Sequence, residues 1–227
     1  MIRLSRRLLC AAQAVRPGAR VADVGCDHGK LCAYLLENGL ASAAVATDIS
    51  ALSLEKATAL LASLGMGDRA RTVLCDGLSG VAPQEADDVV VAGVGPDTAA
   101  HIIGDCAWLR DADKRLILVP ASHHERLRRW LAGAGFVTDD ERAVCEGGRC
   151  YTVIAAHYTG VRAALTSAQA TLGRLRCDSE DALCYYQREY EKALRLYEAD
   201  CGEDKRTAAL EILRAIEKTP GFPGKDR

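Results

Sequence analysis

No window of the 227-residue sequence approaches the roughly 18 consecutive apolar residues of a membrane-spanning helix, which argues against membrane insertion. The first ten residues carry Arg3, Arg6 and Arg7 but no sustained apolar stretch leading to a small-residue cleavage site, so they read as a folded helix and not as an export signal. The ten cysteines include no C-x-x-C pair; the nearest approaches, Cys26 with Cys32 and Cys145 with Cys150, lack zinc-finger spacing. The five histidines include no H-E-x-x-H. No metal is therefore expected, and the cysteines read as small buried hydrophobes of a protein kept in a reducing compartment, the cytoplasm. A G-x-G-x-x-G fingerprint is also missing after the first full strand, which makes dinucleotide-dependent hydride transfer the lesser reading.

What is present is an ordinary globular composition, 49% hydrophobic and 26% charged, in a chain long enough to bury about 70% of its unfolded surface. Net charge is −2, which does not suit a protein that coats nucleic acid nonspecifically. The charge is unevenly placed. Residues 1–20 hold five arginines (Arg3, Arg6, Arg7, Arg16, Arg20) and no acid, whereas residues 81–113 hold seven acids against Arg110. The basic end could face a polyanion or could be balanced elsewhere in the fold.

Hydrophobic periodicity predicts a helix over 3–15, then strand 20–24, helix 29–38, strand 43–47, helix 51–64, strand 70–75 and strand 88–92. Pro96 opens a further helix, and the strand 115–119 runs into Pro120. Ser122 and Glu125 have capping-box spacing, starting a helix that carries Arg126, Arg128 and Arg129 before Gly133 and Gly135. Residues 136–158 read as two strands around Glu146, Gly147 and Gly148, a hairpin with no helix between. This predicts an α/β fold: a Rossmann-like, mostly parallel sheet ending in an antiparallel hairpin. From about 162 the strand signal gives way to charged helix. Leu183, Tyr186, Tyr190, Ala193 and Tyr197 form one apolar stripe, and Leu210, Leu213 and Ile216 a second beyond Gly202. The expectation is a catalytic domain over 1–160, a small coiled-coil-like antiparallel helical domain over 161–220 with its tyrosines packed, and a flexible tail over 221–227.

Chemistry-bearing residues gather at the predicted strand ends. Asp23, Gly25, Asp27 and Gly29 follow the first full strand, Asp48 ends the next, and Asp76 with Gly77 ends the third. Glycines let backbone approach a ligand, and carboxylates there can pair with an amino or sulfonium charge, with ribose hydroxyls, or with an adenine amino group. Three acids in register are a stronger signal than any one of them, each of which alone would read as a cap or turn residue.

The stretches LSRRL (4–8), VADVGCDHGKL (21–31), CDGL (75–78), VVAGVG (90–95), LILVP (116–120) and GGRCYTVI (147–154) resemble the bacterial tRNA adenine-N1 methyltransferase family (TrmK-like), class I S-adenosylmethionine-dependent enzymes, over nearly the whole chain. The Asp27-His28 pair is the most specific mark. The resemblance implies S-adenosyl-L-methionine as cofactor, held by Asp23, Gly25, Cys26, Gly29, Asp48, Ile49, Asp76, Gly77 and Gly93. It implies tRNA as substrate, methylated at N1 of a D-arm adenosine, with the helical C-terminal part helping to hold it. The chain has Gly93-Val94-Gly95-Pro96 and Val119-Pro120-Ala121 where that family usually reads Gly-Met-Gly-Gly and Gln-Pro-Asn, leaving Ser122, His123 and His124 as the polar groups of the second loop.

N1 of adenine already carries the attacking lone pair, and its methylated product is cationic, so a carboxylate beside the base edge would stabilise the developing charge. Asp27 is the candidate, with His28 orienting it or touching RNA; contact with the cofactor alone is the other reading. Because N1 is blocked in a paired helix, the target must be unpaired or flipped. Arg3, Arg6, Arg7, Arg126 and Arg129, together with Arg128, are candidate phosphate contacts. A small-molecule acceptor, or a weakly catalytic RNA- or partner-binding role, stays open on the residues alone. No exposed seam apart from the helical arm suggests an oligomer, so a monomer is expected.

Overall fold

The computed structural model describes residues 2–199 and 202–223. Seven strands form one sheet in the order β3-β2-β1-β4-β5-β7-β6. They are β1 (Ala19–Val24), β2 (Ala41–Asp48), β3 (Ala70–Leu74), β4 (Asp88–Ala92), β5 (Arg115–Val119), β6 (Phe136–Glu146) and β7 (Arg149–Tyr158). The first five pair in parallel, while β7 runs antiparallel to both β5 and β6. This is the predicted sheet. It departs from the dinucleotide-binding order 3-2-1-4-5-6 in the antiparallel strand inserted next to β5.

The strands β4 and β5 are apolar at nearly every position because both faces are covered. Val90, Ile117 and Val119 pack into the layer formed by α1 (Arg6–Ala14), α2 (Lys30–Glu37) and α3 (Ala51–Ser63). Val89, Val91, Leu116 and Leu118 face the opposite layer, with α4 (Pro96–Asp105) and α5 (His124–Ala134). Between β3 and β4 the chain crosses with only a 3-10 turn over Pro83–Glu85.

The N-terminal arginines are partly spent inside the molecule. Arg16 donates from its backbone N–H and Nε to the buried carboxylate of Asp88, at 2.7 and 2.6 Å, and Arg20 donates to Asp87. The basic start and the acidic middle thus answer each other across the bottom of the sheet.

A short α6 (Ser167–Leu172), which periodicity did not predict, leads into α7 (Glu180–Glu198) and α8 (Glu203–Glu217). The last two are antiparallel: Tyr190 Oη donates to Glu217 at 3.2 Å, and Arg206 lies 4.8 Å from the centre of the Tyr197 ring. Tyr185, Tyr186, Leu172, Leu175 and Ile216 form their core. The helices are clasped to the sheet by Arg128, whose guanidinium donates to Glu141 (2.6 and 2.8 Å), Ala170 O (2.7 Å) and Thr171 O (2.6 Å). Burial alone would lower the Arg128 pKa, but the Glu141 carboxylate outweighs it and drives the value up. Arg128 is 3% exposed, so its reading as a phosphate contact is overturned.

Two further expectations change. The α5 N-terminus is not a Ser122–Glu125 capping box: His123 takes the cap position in a left-handed conformation (φ 50°) with no side-chain cap bond. The stretch expected to fray from 221 begins docked instead, with Phe222 5.6 Å from the Tyr190 ring and Gly221 so close to Cys177 O that a Cβ there would collide with it. Residues 224–227 of that expected tail lie outside the described residues.

Candidate functional site

The C-terminal ends of β1, β2 and β4 meet on one edge of the sheet, where open α/β folds bind ligands. After Val24 the chain turns through Gly25 (φ 72°), Asp27 (φ 52°) and Gly29 (φ 66°), three left-handed residues within five positions. Gly25 N–H and Cys26 N–H both donate to Thr47 O, at 2.8 and 2.9 Å, which fixes the turn to β2. Asp27 and His123 are the two non-glycine residues with positive φ among the described residues. Aspartate tolerates this region better than most side chains, and the conformation leaves its carboxylate pointing to solvent, 76% exposed.

A cavity of about 150 Å³ opens here, lined by residues that include Arg7, Asp23, Gly25, Cys26, Asp27, His28 and Gly93. At Gly25 and Gly93 nothing stands within 4 Å of where a Cβ would be, so any side chain would fill room the cavity offers. Asp23 forms its floor. It is 4% exposed, and its carboxylate accepts from the Cys32 thiol at 3.8 Å. Burial, with the Asp48 charge adding to it and the Cys32 contact opposing it, pushes the Asp23 carboxyl up to about 7. The same burial, and the charges of Asp23 and Asp48, raise Cys26 to about 12, so its thiol stays protonated.

Asp48 is half-buried at the end of β2. Its Oδ2 accepts from Asp27 N–H at 3.1 Å and its Oδ1 from Ser50 N–H at 2.9 Å. Next to it Ile49 stands 76% exposed, an apolar side chain largely open to solvent. Thr47 Oγ1 donates to Gly77 O at 2.9 Å and thereby ties the end of β2 to the turn carrying Asp76. Asp76 and Gly77, however, line a separate cavity of about 420 Å³ against Ile102 and Trp108.

Of the predicted site, the structure therefore brings together Asp23, Gly25, Cys26, Asp27, His28 and Gly93. Asp48 joins them through the Asp27 backbone, and Gly29 through its place as the α2 N-cap. Arg7, expected on the RNA surface, reaches the cavity and lies 5.0 Å over the Tyr151 ring. Lys56 was not foreseen: its Nζ is 3.4 Å from His28 Nε2, which is itself 3.4 Å from Asp27 Oδ1. Its position on α3, remote in sequence, gave no signal. Arg6 donates to Asp181 (2.7 Å) and Cys145 O (2.6 Å), Arg126 to Asp97 (2.8 Å), and Arg129 to Leu165 O. Arg3 is exposed. In the second loop, Ala121 N–H donates to Val94 O at 2.9 Å and Gly93 N–H to Val119 O at 2.9 Å, so backbone bonds hold the two loops beside each other.

A parallel sheet with this inserted antiparallel strand, and a glycine-acid loop at its ligand edge, defines a Rossmann-like methyltransferase, and residues 4–154 match the methyltransferase domain family. The tRNA (adenine(22)-N(1))-methyltransferase of Bacillus subtilis is 32% identical over 174 residues, 77% of this chain and 73% of that protein. The chain belongs to that tRNA (adenine-N1)-methyltransferase family. Among solved structures, the B. subtilis m1A22 tRNA methyltransferase TrmK superposes with a TM-score of 0.76 at 26% identity, covering 95% of this chain and 98% of that one. A Streptococcus pneumoniae protein solved with S-adenosyl-L-methionine superposes at 0.79 with 25% identity, over 94% and 98% of the two chains.

Proposed function

We propose that the protein transfers a methyl group from S-adenosyl-L-methionine to N1 of a D-arm adenosine in tRNA, adenosine 22 by analogy with the B. subtilis relative. The observation that carries this reading is the 25–29 loop: a buried Asp23 at the floor of a glycine-walled cavity, with the exposed Asp27 carboxylate held at its mouth by a left-handed backbone. The residues fit the cofactor. Asp23, buried among apolar groups, is suited to an ammonium that would keep it ionised. The 150 Å³ cavity suits the methionine portion, Asp48 retains lone pairs for ribose hydroxyls, and Ile49 offers an apolar face to adenine. Asp76, whose turn is tied to the end of β2 by the Thr47–Gly77 bond, is the candidate acceptor for the adenine amino group. When bound, the cofactor supplies an electrophilic methyl on a sulfonium.

Asp27 then has a defined task. Adenine N1 gains positive charge as the new bond forms, and a carboxylate placed beforehand at the mouth stabilises that charge and accepts from the exocyclic amine. His28 stands beside Asp27 and keeps it oriented, with Lys56 reaching the same His28 nitrogen, and Arg7 stands where a phosphate next to the flipped nucleotide would come. Exposed Arg3, together with Arg126 and Arg129 on α5, extends the candidate tRNA surface; all but Arg3 would exchange or share an existing partner. The compact helices α6–α8 form a second unit that would meet the tRNA body.

Incubation with labelled S-adenosylmethionine and unmodified tRNA, followed by nuclease mapping, tests the reading: label should appear as N1-methyladenosine at one D-arm position. Asp27→Asn should lower kcat by roughly 100-fold or more while cofactor affinity changes little. Full activity in that variant would remove Asp27 from the reaction, and label confined to small molecules would remove tRNA.

A further inference from the structure

Away from that site, three sulfurs meet at the tip of the β6–β7 hairpin. Cys145 and Cys150 are register partners across the hairpin, with Cα atoms 4.2 Å apart and their sulfurs joined as a disulfide, which overturns the expectation that every cysteine is a free thiol. Gly147 and Gly148, both at positive φ (58° and 74°), make the two-residue turn that fixes this pairing. From α7, Cys184 places its Sγ 3.5 Å from Cys150 Sγ. All three sulfurs lie within 4.8 Å of one another, and no other trio of His, Cys, Asp or Glu ligand atoms converges so among the described residues.

We propose that in the reduced protein Cys145, Cys150 and Cys184 bind one thiophilic d10 metal ion, zinc(II) or copper(I), that pins the hairpin to α7. Metal–sulfur bonds of about 2.3 Å place neighbouring sulfurs somewhat under 4 Å apart. The Cys150–Cys184 spacing of 3.5 Å is already close to that, and opening the disulfide frees Cys145 to reach it as well. Thiolates select zinc and copper(I) over calcium or magnesium, which need oxygen ligands that do not converge here. All three side chains are half-buried, unlike Cys26, Cys32 and Cys106, which fill the core as small hydrophobes; a solvent water can therefore complete a tetrahedral zinc, while copper(I) needs no fourth ligand. Three thiolates around zinc(II) carry a net charge of −1. Arg6 lies next to it, donating to the Cys145 carbonyl at 2.6 Å while it pairs with Asp181 at 2.7 Å.

The chemistry balances in two steps. A dithiol reductant passes two electrons to the Cys145–Cys150 bond, giving two thiols as the reductant becomes a disulfide. Metal binding then forms three metal–sulfur bonds and releases three thiol protons. Spacing could not reveal this site, because the third ligand comes from 34 residues beyond Cys150 and is brought in by the packing of α7 against the hairpin.

The test uses the full chain, reduced and freed of reductant under anaerobic conditions, then titrated with Zn2+ in one arm and with Cu+ held in a weak complex in the other. Competition with a chromophoric chelator measures affinity, and alkylation with peptide mass mapping identifies the ligands. One equivalent should bind in at least one arm, with Cys145, Cys150 and Cys184 protected while Cys10, Cys75 and Cys177 are alkylated as in the apo protein. Cys184→Ser should lose at least 100-fold in affinity and Cys177→Ser should lose none, with circular dichroism confirming that both are folded. The proposal fails if neither ion protects the trio, if Cys184→Ser binds as tightly as the wild type, or if the Cys145–Cys150 disulfide survives the reductant.

Discussion

Asp23 is buried next to a thiol, with its carboxyl held near pH 7, and a ligand ammonium needs it ionised. A carboxyl raised in this way is increasingly protonated below pH 7, so affinity for the cofactor should weaken as pH falls, approaching about tenfold per unit below the folded pKa. Calorimetric titration of S-adenosylhomocysteine between pH 5.5 and 7 should show that slope, and Asp23→Asn should bind more weakly with no slope; a flat wild-type profile would refute the assignment. The place of Asp23 was legible, because the apolar strand running into the Gly25–Gly29 turn puts an acid at a strand end beside two more in register. The height of its pKa was not. It depends on Cys32 and on the closing over of the α1–α2 layer, which no spacing rule describes.

The loop and helix that follow make a contrast between two glycines. Gly29 caps α2 at φ 66°, and a Cβ there would stand 2.9 Å from the Ala57 Cβ on α3; at Gly25 the same added atom meets nothing within 4 Å. Gly29→Ala is therefore expected to cost about 2–3 kcal/mol, the left-handed penalty plus displacement of α3. Gly25→Ala should cost about 1–2 kcal/mol and act chiefly on cofactor binding. Urea unfolding of the two variants checks this, and equal costs would mean that the α2–α3 contact is not tight. Element positions followed from pattern wherever burial was two-sided, as in β4 and β5, whose bounds match the prediction. Ends set by backbone geometry were harder to read: α1 begins at Arg6 behind a Ser5 cap, and α5 begins behind a left-handed His123 that the Ser122–Glu125 spacing disguised. The six-residue α6 is too short to show a period.

Across the whole molecule the decisive contact is the Arg128–Glu141 clasp, where one guanidinium on α5 is shared by a β6 carboxylate, two carbonyls at the end of α6 and the Tyr185 hydroxyl. Glu141 is also fully used, since its other oxygen accepts from Arg174 N–H at 2.9 Å. Arg128→Ala leaves that carboxylate buried without its cation and should lower stability by about 3–5 kcal/mol. The double variant Arg128→Met with Glu141→Leu should recover part of the loss, as measured by thermal or urea unfolding. A single variant that unfolds like the wild type would show that the helices hold to the sheet by apolar contacts alone. In sequence Arg128 looked like its neighbours Arg126 and Arg129, one of three arginines on a solvated helix. Only the arrival of α6 and α7 over the hairpin distinguishes it, and that is a property of the assembled chain.

The same clasp imposes an order in time. Arg128 precedes its acceptor Thr171 by 43 residues, an interval of about 2–9 s at ribosomal speeds. During that interval a nascent sheet can pair Arg128 with Glu141 but cannot shield the pair or saturate the guanidinium. The hairpin edge is thus left open on the growing chain until α6 emerges, so a pause with β7 already outside the ribosome and α6 still inside it would prolong the stage at which this edge is most exposed to a wrong partner.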